Sequence, residues 1–225
     1  MIIITGASKG VGRFLFEQFK INSYPVIGTY NSTFVDIDGL SKVDISDYNQ
    51  VSNWLNKEEG KLNNITLINC AGISYNSFAH KANPIEWKKV FEVNVFGTFN
   101  VIRQLLPIMR NQNYGRIINI SSVVAQKPTP GVSAYAASKS ALWGLTKSIS
   151  AEVGKADITI NTINLGYVNI GMGVEKVPEN FQEKIKSEIP SEKFCDPMDI
   201  YKTVEFIRNT TYVNGTSIDI NGGLI

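Results

Sequence analysis

Histidine is nearly missing from this chain of 225 residues: His80 is the only one, and cysteine contributes just Cys70 and Cys195. A metal site built from several histidines is excluded, and serine–histidine–aspartate chemistry would depend on His80 alone. The two cysteines lie far apart with no partner spacing, which argues against a disulfide framework or a thiolate metal site. Charge of one sign is also lacking, with 22 Lys+Arg against 20 Asp+Glu. No basic tract or aromatic–basic interleaving offers an electrostatic footprint for nucleic acid. No apolar run reaches the ~20 residues of a membrane span. The opening "MIIITG" has neither the basic start nor the apolar length of a secretory signal. These absences lead us to expect a cytoplasmic protein with no metal, nucleic-acid or membrane partner.

What is present is a globular composition, 43% hydrophobic and 19% charged, in a chain long enough for one large domain with a sizeable core. Short apolar runs alternate with helical patterns. We expect strands within 2–5, 25–30, 40–46, 64–72, 115–122, 158–166 and 216–222, and helices over 13–22, 48–56, 84–109, 134–153 and 197–209. Nearly continuous apolar strands alternating with helices predict a parallel sheet covered on both faces. The fold class is α/β: a single-domain, Rossmann-type, doubly wound sheet spanning 1–225. No repeat or composition shift marks a second domain. Residues 171–194 form one long interruption of mixed charge, read as a lid.

"TGASKGVG" (5–12) follows a strand and opens a helix. Gly6, Gly10 and Gly12 allow positive φ and close backbone approach, and a helix N-terminus presents N–H groups and a positive dipole end to a pyrophosphate. Three glycines alone are a weak signal; the strand–turn–helix context gives it weight. NAD-type sites place a carboxylate about 20 residues further on. Here the second strand ends in Tyr30, Asn31 and Ser32, with no acid, while Lys9 lies in the turn where an ammonium meets a 2′-phosphate. NADP(H) is therefore favoured over NAD(H). The competing reading leaves Lys9 solvated and gives the acid's place to Asp36 or Asp38.

"SAYAASKSAL" (133–142) puts Tyr135 and Lys139 four residues apart, on one helix face. A phenol of pKa about 10 is a poor acid–base group at neutral pH, and a nearby ammonium lowers it. Ala136, Ala137 and Ser138 would leave room for a cofactor against the helix. Ser122 ends a strand and is placed to hold a carbonyl oxygen while Tyr135 supplies the proton. Such a pair is common on solvated helices; the glycine turn and the strand-end serine give it meaning.

Taken together, "TGASKGVG", "NCAG" (69–72), Asn94 in "VNVFGTF", Ser122 in "NISS", "YAASK" (135–139) and "NGTSIDINGG" (214–223) resemble the short-chain dehydrogenase/reductase family over essentially the whole chain. The likeness is greatest to its 3-oxoacyl-acyl-carrier-protein reductase and carbonyl reductase branch. The resemblance implies Tyr135 as acid/base, Lys139 on the nicotinamide ribose, Ser122 orienting the carbonyl, and Asn94 holding a relay water through a break in its helix. It also implies a nucleotide site made of Gly6, Ala7, Ser8, Lys9, Gly10, Val11 and Gly12, with Asn31 and Ser32 near the adenosine phosphate. Asp44 and Ile45 would flank the adenine, Asn69, Cys70, Ala71 and Gly72 line the ribose side, and Gly166 and Val168 lie by the nicotinamide. The two long helices pack across subunits in relatives, so a homodimer or homotetramer is expected. This chain departs from the family pattern at Cys70, at Leu165, and at Ile170, where a threonine is usual. The expected activity is NADPH-dependent reduction of a ketone or aldehyde, or the reverse. The competing readings are a nucleotide-binding regulator with little turnover, and a reductase of a sugar or sugar-nucleotide precursor.

Overall fold

The computed structural model describes residues 1–171, 174 and 177–225. Seven strands, β1 (Ile2–Thr5), β2 (Val26–Tyr30), β3 (Leu40–Lys42), β4 (Thr66–Asn69), β5 (Gly115–Ser122), β6 (Ile158–Leu165) and β7 (Ser217–Ile220), form one sheet. Its order is β3-β2-β1-β4-β5-β6-β7, and every pairing is parallel. The helices are α1 (Gly10–Ile21), α2 (Tyr48–Glu58), α3 (Pro84–Phe91), α4 (Thr98–Gln112), α5 (Ser133–Val153), α6 (Glu179–Glu188) and α7 (Pro197–Asn209). Strand order reverses between β1 and β4, which opens a crevice beyond the carboxyl ends of the strands.

Alternate strand residues feed two cores. On one face Leu67, Ile117 and Ile160 meet Val51, Trp54 and Leu55 of α2, Val101, Ile102, Leu105 and Met109 of α4, and Ile149 and Val153 of α5. On the other, Ile4, Ile68, Ile118, Ile120 and Ile163 meet Leu15, Phe16 and Phe19 of α1 and Ile200, Val204 and Ile207 of α7. Each such side chain contributes roughly 1.5–3 kcal/mol through burial.

Three features differ from the sequence reading. The helix expected from 13 begins at Gly10, so Val11 and Gly12 of the glycine turn already belong to it. The interruption at 171–194 contains α6, whose Ile185 packs with Ile189 and Phe194 against Tyr167, Val174, Val177 and Leu224; the part of the expected lid at 172, 173, 175 and 176 lies outside the described residues. Finally, β6 is buried along its whole length but is not continuously apolar, since Thr159, Asn161, Thr162 and Asn164 are polar.

Candidate active site

The glycine turn leaves β1 at Thr5 and is fixed by backbone. The Ala7 N–H donates to Thr29 O at 2.8 Å, and the Gly6 N–H to Thr29 Oγ1 at 3.4 Å. Gly6 has φ +68°, and a Cβ built on it would lie 2.7 Å from Ala71 Cα. A Cβ at Gly12 would strike the Gly6 carbonyl oxygen and lie 3.2 Å from Cys70 Cβ. The turn is thus packed into the 69–72 segment, with space only for glycine. α1 starts at Gly10 with no side-chain cap on its first N–H groups, as at a helix end that receives an anion. Ala7 and Ser8 are buried in this turn, while Lys9 and, at the tip of β2, Asn31 and Ser32 are exposed.

Two carboxylates near the adenosine end, Asp38 and Asp44, have other partners. Asp38 pairs with Lys20 at 3.7 Å, ten residues along α1 from Gly10 and so ~15 Å down the helix axis. Asp44 Oδ1 accepts from Ser46 N (3.0 Å) and Ser46 Oγ (2.6 Å), so its carboxylate closes its own turn. Ile45 is 4% exposed and packs on Gly97, where an added Cβ would come within 2.8 Å of Ile45 Cγ1.

Asn94 lies in a π-helical segment, Glu92–Gly97, between α3 and α4. Its Oδ1 accepts from the Ile73 N–H at 2.9 Å, and its Nδ2 donates to Ile73 O and Ser138 Oγ, both at 2.9 Å. The side-chain amide holds the end of the 69–73 turn against α5. Ser138 in turn donates to Tyr135 O at 2.8 Å. It is fully buried, so it serves this bridge instead of clearing space for a cofactor.

Ser122 closes β5 and caps the following turn, accepting from the Val124 N–H at 3.4 Å. Its hydroxyl lies close enough to Tyr135 to pull that phenol's pKa down. Lys139, 4% exposed, donates from Nζ to Ile120 O at 2.7 Å and sits 5.6 Å from the Tyr135 ring centroid. Its ammonium is also close to Gly72, 3.5 Å from where a Cβ would stand. Tyr135, Lys139, Ser122, Asn94, Gly72 and Cys70 therefore converge on one corner of the crevice.

Burial dominates the electrostatics of this corner. Desolvation pushes the Tyr135 hydroxyl up to about 12, with Ser122 pulling back. It drives Lys139 down to about 8, opposed by Cys70. The Cys70 thiol rises to about 12, against the pull of Lys139. Lys139 is not among the causes of the Tyr135 shift, its ammonium being turned to Ile120 O.

The residues fit a dinucleotide. The glycines form a cradle that any Cβ would fill. Lys139 has three N–H donors, and among the described residues no carboxylate pairs with it. A buried cation so placed suits ribose hydroxyls. Gly166 continues the lining beyond β6, tight against Asn221, whose Cα would lie 2.8 Å from a Cβ there. Val168 forms a bridge with Cys195. Ile170 is partly buried against the α1–α7 core. The rim is also joined: the Ser77 N–H donates to Gly131 O at 2.8 Å, and Trp87 Nε1 to Ser133 Oγ at 3.3 Å.

Sequence reasoning missed Thr29, Ser121 and Trp87, which act through hydrogen bonds to residues distant in sequence, a relation that spacing does not display.

A parallel sheet with a glycine-built cradle at its switch point, beside a tyrosine–lysine–serine cluster, defines a dinucleotide-dependent oxidoreductase. A family profile described as short chain dehydrogenase matches residues 1–180, and the chain belongs to that family. It is 34% identical to the 3-oxoacyl-[acyl-carrier-protein] reductase of Rickettsia conorii, covering 99% of this chain and 95% of the relative. It is 32% identical to the acetoacetyl-CoA reductase of Shinella zoogloeoides, covering 98% and 96%. A further 3-oxoacyl-[acyl-carrier-protein] reductase, from Thermotoga maritima, is 32% identical over 99% and 96%.

Proposed function

We propose that the protein is an NADPH-dependent reductase of a carbonyl compound, with a 3-oxoacyl thioester as the first substrate to test. The observation that carries this reading is the buried Lys139 ammonium, 4% exposed and 5.6 Å from the Tyr135 ring centroid, with Ser122 near the phenol. The relatives' names point to the thioester. The preference for NADP(H) rests on the acid-free tip of β2, the exposed Lys9 and the diversion of Asp38 and Asp44 to other partners.

When bound, the nicotinamide supplies the hydride. Tyr135 donates its phenolic proton to the carbonyl oxygen, and its raised pKa keeps that proton in place at neutral pH. Ser122 donates to the same oxygen, its own oxygen already held by the Val124 N–H. Lys139 binds ribose hydroxyls with the donors that Ile120 O leaves over, and places positive charge where the phenolate forms. Asn94 acts by holding the 69–73 turn. The described residues 177–194, with α6, cover the substrate, and α4 and α5 pair with a second copy, giving a cytoplasmic homo-oligomer.

Tyr135→Phe tests the assignment. Turnover of acetoacetyl-CoA with NADPH is expected to fall by roughly 10³-fold or more, within the range of general acid–base catalysis. NADPH affinity by isothermal titration should stay within about twofold, since the ring and Lys139 remain. A variant that retains wild-type turnover defeats the reading. Wild-type binding of NADPH with no turnover across a carbonyl panel supports the nucleotide-binding regulator instead.

A further inference from the structure

α5 rests on a sheet face that is polar towards the site. Ser121 on β5 and Asn164 on β6 stand in register beneath it, and Asp219 on β7, exposed beyond the helix, continues the row. Ser121 Oγ donates to Lys139 O at 3.0 Å. The Trp143 indole N–H donates to Asn164 Oδ1 at 2.8 Å, and Asn164 Nδ2 donates onward to Asp219 Oδ1 at 2.7 Å. Asn164 has no solvent exposure.

The chemistry of this chain is directional. An indole only donates, and a carboxylate only accepts, so the two neighbours fix the Asn164 amide in one orientation. Apolar side chains at these positions would pack α5 equally well but would permit sliding along its axis. Trp143 follows Tyr135 and Lys139 at successive four-residue steps, on the same side of the helix. Asn164 immediately precedes Leu165 and Gly166, where the chain leaves the sheet for the nucleotide side of the crevice. The row thus connects the helix that carries the proton donor to the strand end that faces the cofactor.

We propose that Trp143, Asn164 and Asp219 are positioning residues that lock the axial setting of α5, and so the distance from Tyr135 to the carbonyl oxygen. The proposal rests on the reductase reading above. A displacement of order 1 Å at a reacting centre costs about 10²-fold in rate.

The test uses the full-length protein with NADPH and acetoacetyl-CoA. Trp143→Phe keeps the packing and removes the N–H. Asp219→Ala removes the acceptor, and Asp219→Asn restores one. We expect Trp143→Phe and Asp219→Ala to lower kcat by about 10–100-fold, with KM for NADPH within about twofold. We also expect a changed kcat–pH profile and a changed deuterium isotope effect with 4-deuterated NADPH. Asp219→Asn should recover most of the rate. In hydrogen exchange, Trp143→Phe should speed the amides of residues 135–143 more than those of 144–153. That readout needs no turnover, so it separates failure of the row from failure of the reductase reading. Unchanged pH profile and isotope effect, with kcat lost only in proportion to folded protein, overturn the proposal. For an inactive parent, uniform exchange across α5 does the same.

Discussion

The residue with most at stake is Lys139, an ammonium kept at 4% exposure with no carboxylate partner among the described residues. Its pKa in the fold is about 8 against an ordinary 10.5. A cation with a lowered folded pKa is a burden below that pKa. Between about 8 and 10.5 the unfolded chain binds a proton that the folded chain does not, so this residue's share of stability rises with pH across that window. Lys139→Met removes the titration altogether. Relative to wild type, the variant should therefore fare better at pH 7 than at pH 10, by a difference on the order of 2–3 kcal/mol. Urea unfolding of both proteins at the two pH values measures it. A difference that stays constant with pH would mean that the lysine is protonated normally in the fold. The chain retains this burden, on our reading, for the ribose contact and for the charge beside Tyr135.

At the level of elements, the π segment Glu92–Gly97 shows how a local irregularity serves the site. The long helix was legible from periodicity and from Pro84, and the family resemblance implied a break near Asn94. Gly97, at the end of the break, packs on Ile45 after β3, whose side-chain atoms would lie 2.8 and 2.9 Å from a Cβ there. No pattern within 84–112 reveals that neighbour. Gly97→Ala should therefore cost about 1–3 kcal/mol by overpacking and loosen Asn94 from Ile73. Replacing Ile45 by Ala as well should recover part of the loss, because the two sites share one contact. Thermal melts of the single and double variants read this directly; simple additivity would show that the two residues do not press on each other. The strands were legible for the opposite reason, since runs such as "IIIT" and "RIINI" declare their burial locally. α6 was missed although Phe181 and Ile185 stand one helical turn apart, because its remaining residues are mostly charged and its apolar side meets only a small cluster.

On the scale of the whole molecule, the sheet and its two cores leave an uncovered face along α4 and α5. A groove there is lined by Phe99, Leu106, Pro107, Leu145 and Ile149, with Arg103, Arg110 and Glu152 at its borders. Phe96 and Phe99 are 55% and 42% exposed, unusual for aromatics beside a well-packed core. Arg103 is already anchored, lying over the Tyr48 ring, and Arg110 donates to Glu152 O at 3.0 Å, so the charged border is preset around an apolar centre. Such a surface suits a second copy related by a twofold axis, with α4 and α5 of each chain against those of the other. Phe99→Lys places a cation in that apolar centre, one helical turn from Arg103 and repelled by it. The variant is expected to sediment as a monomer, or as a smaller assembly than the wild type, at micromolar concentration. α5 also carries Tyr135 and Lys139 on its other side, so loss of the partner should lower activity together with assembly. Analytical ultracentrifugation beside a turnover assay tests both, and a variant that stays assembled like the wild type would place the subunit contact elsewhere.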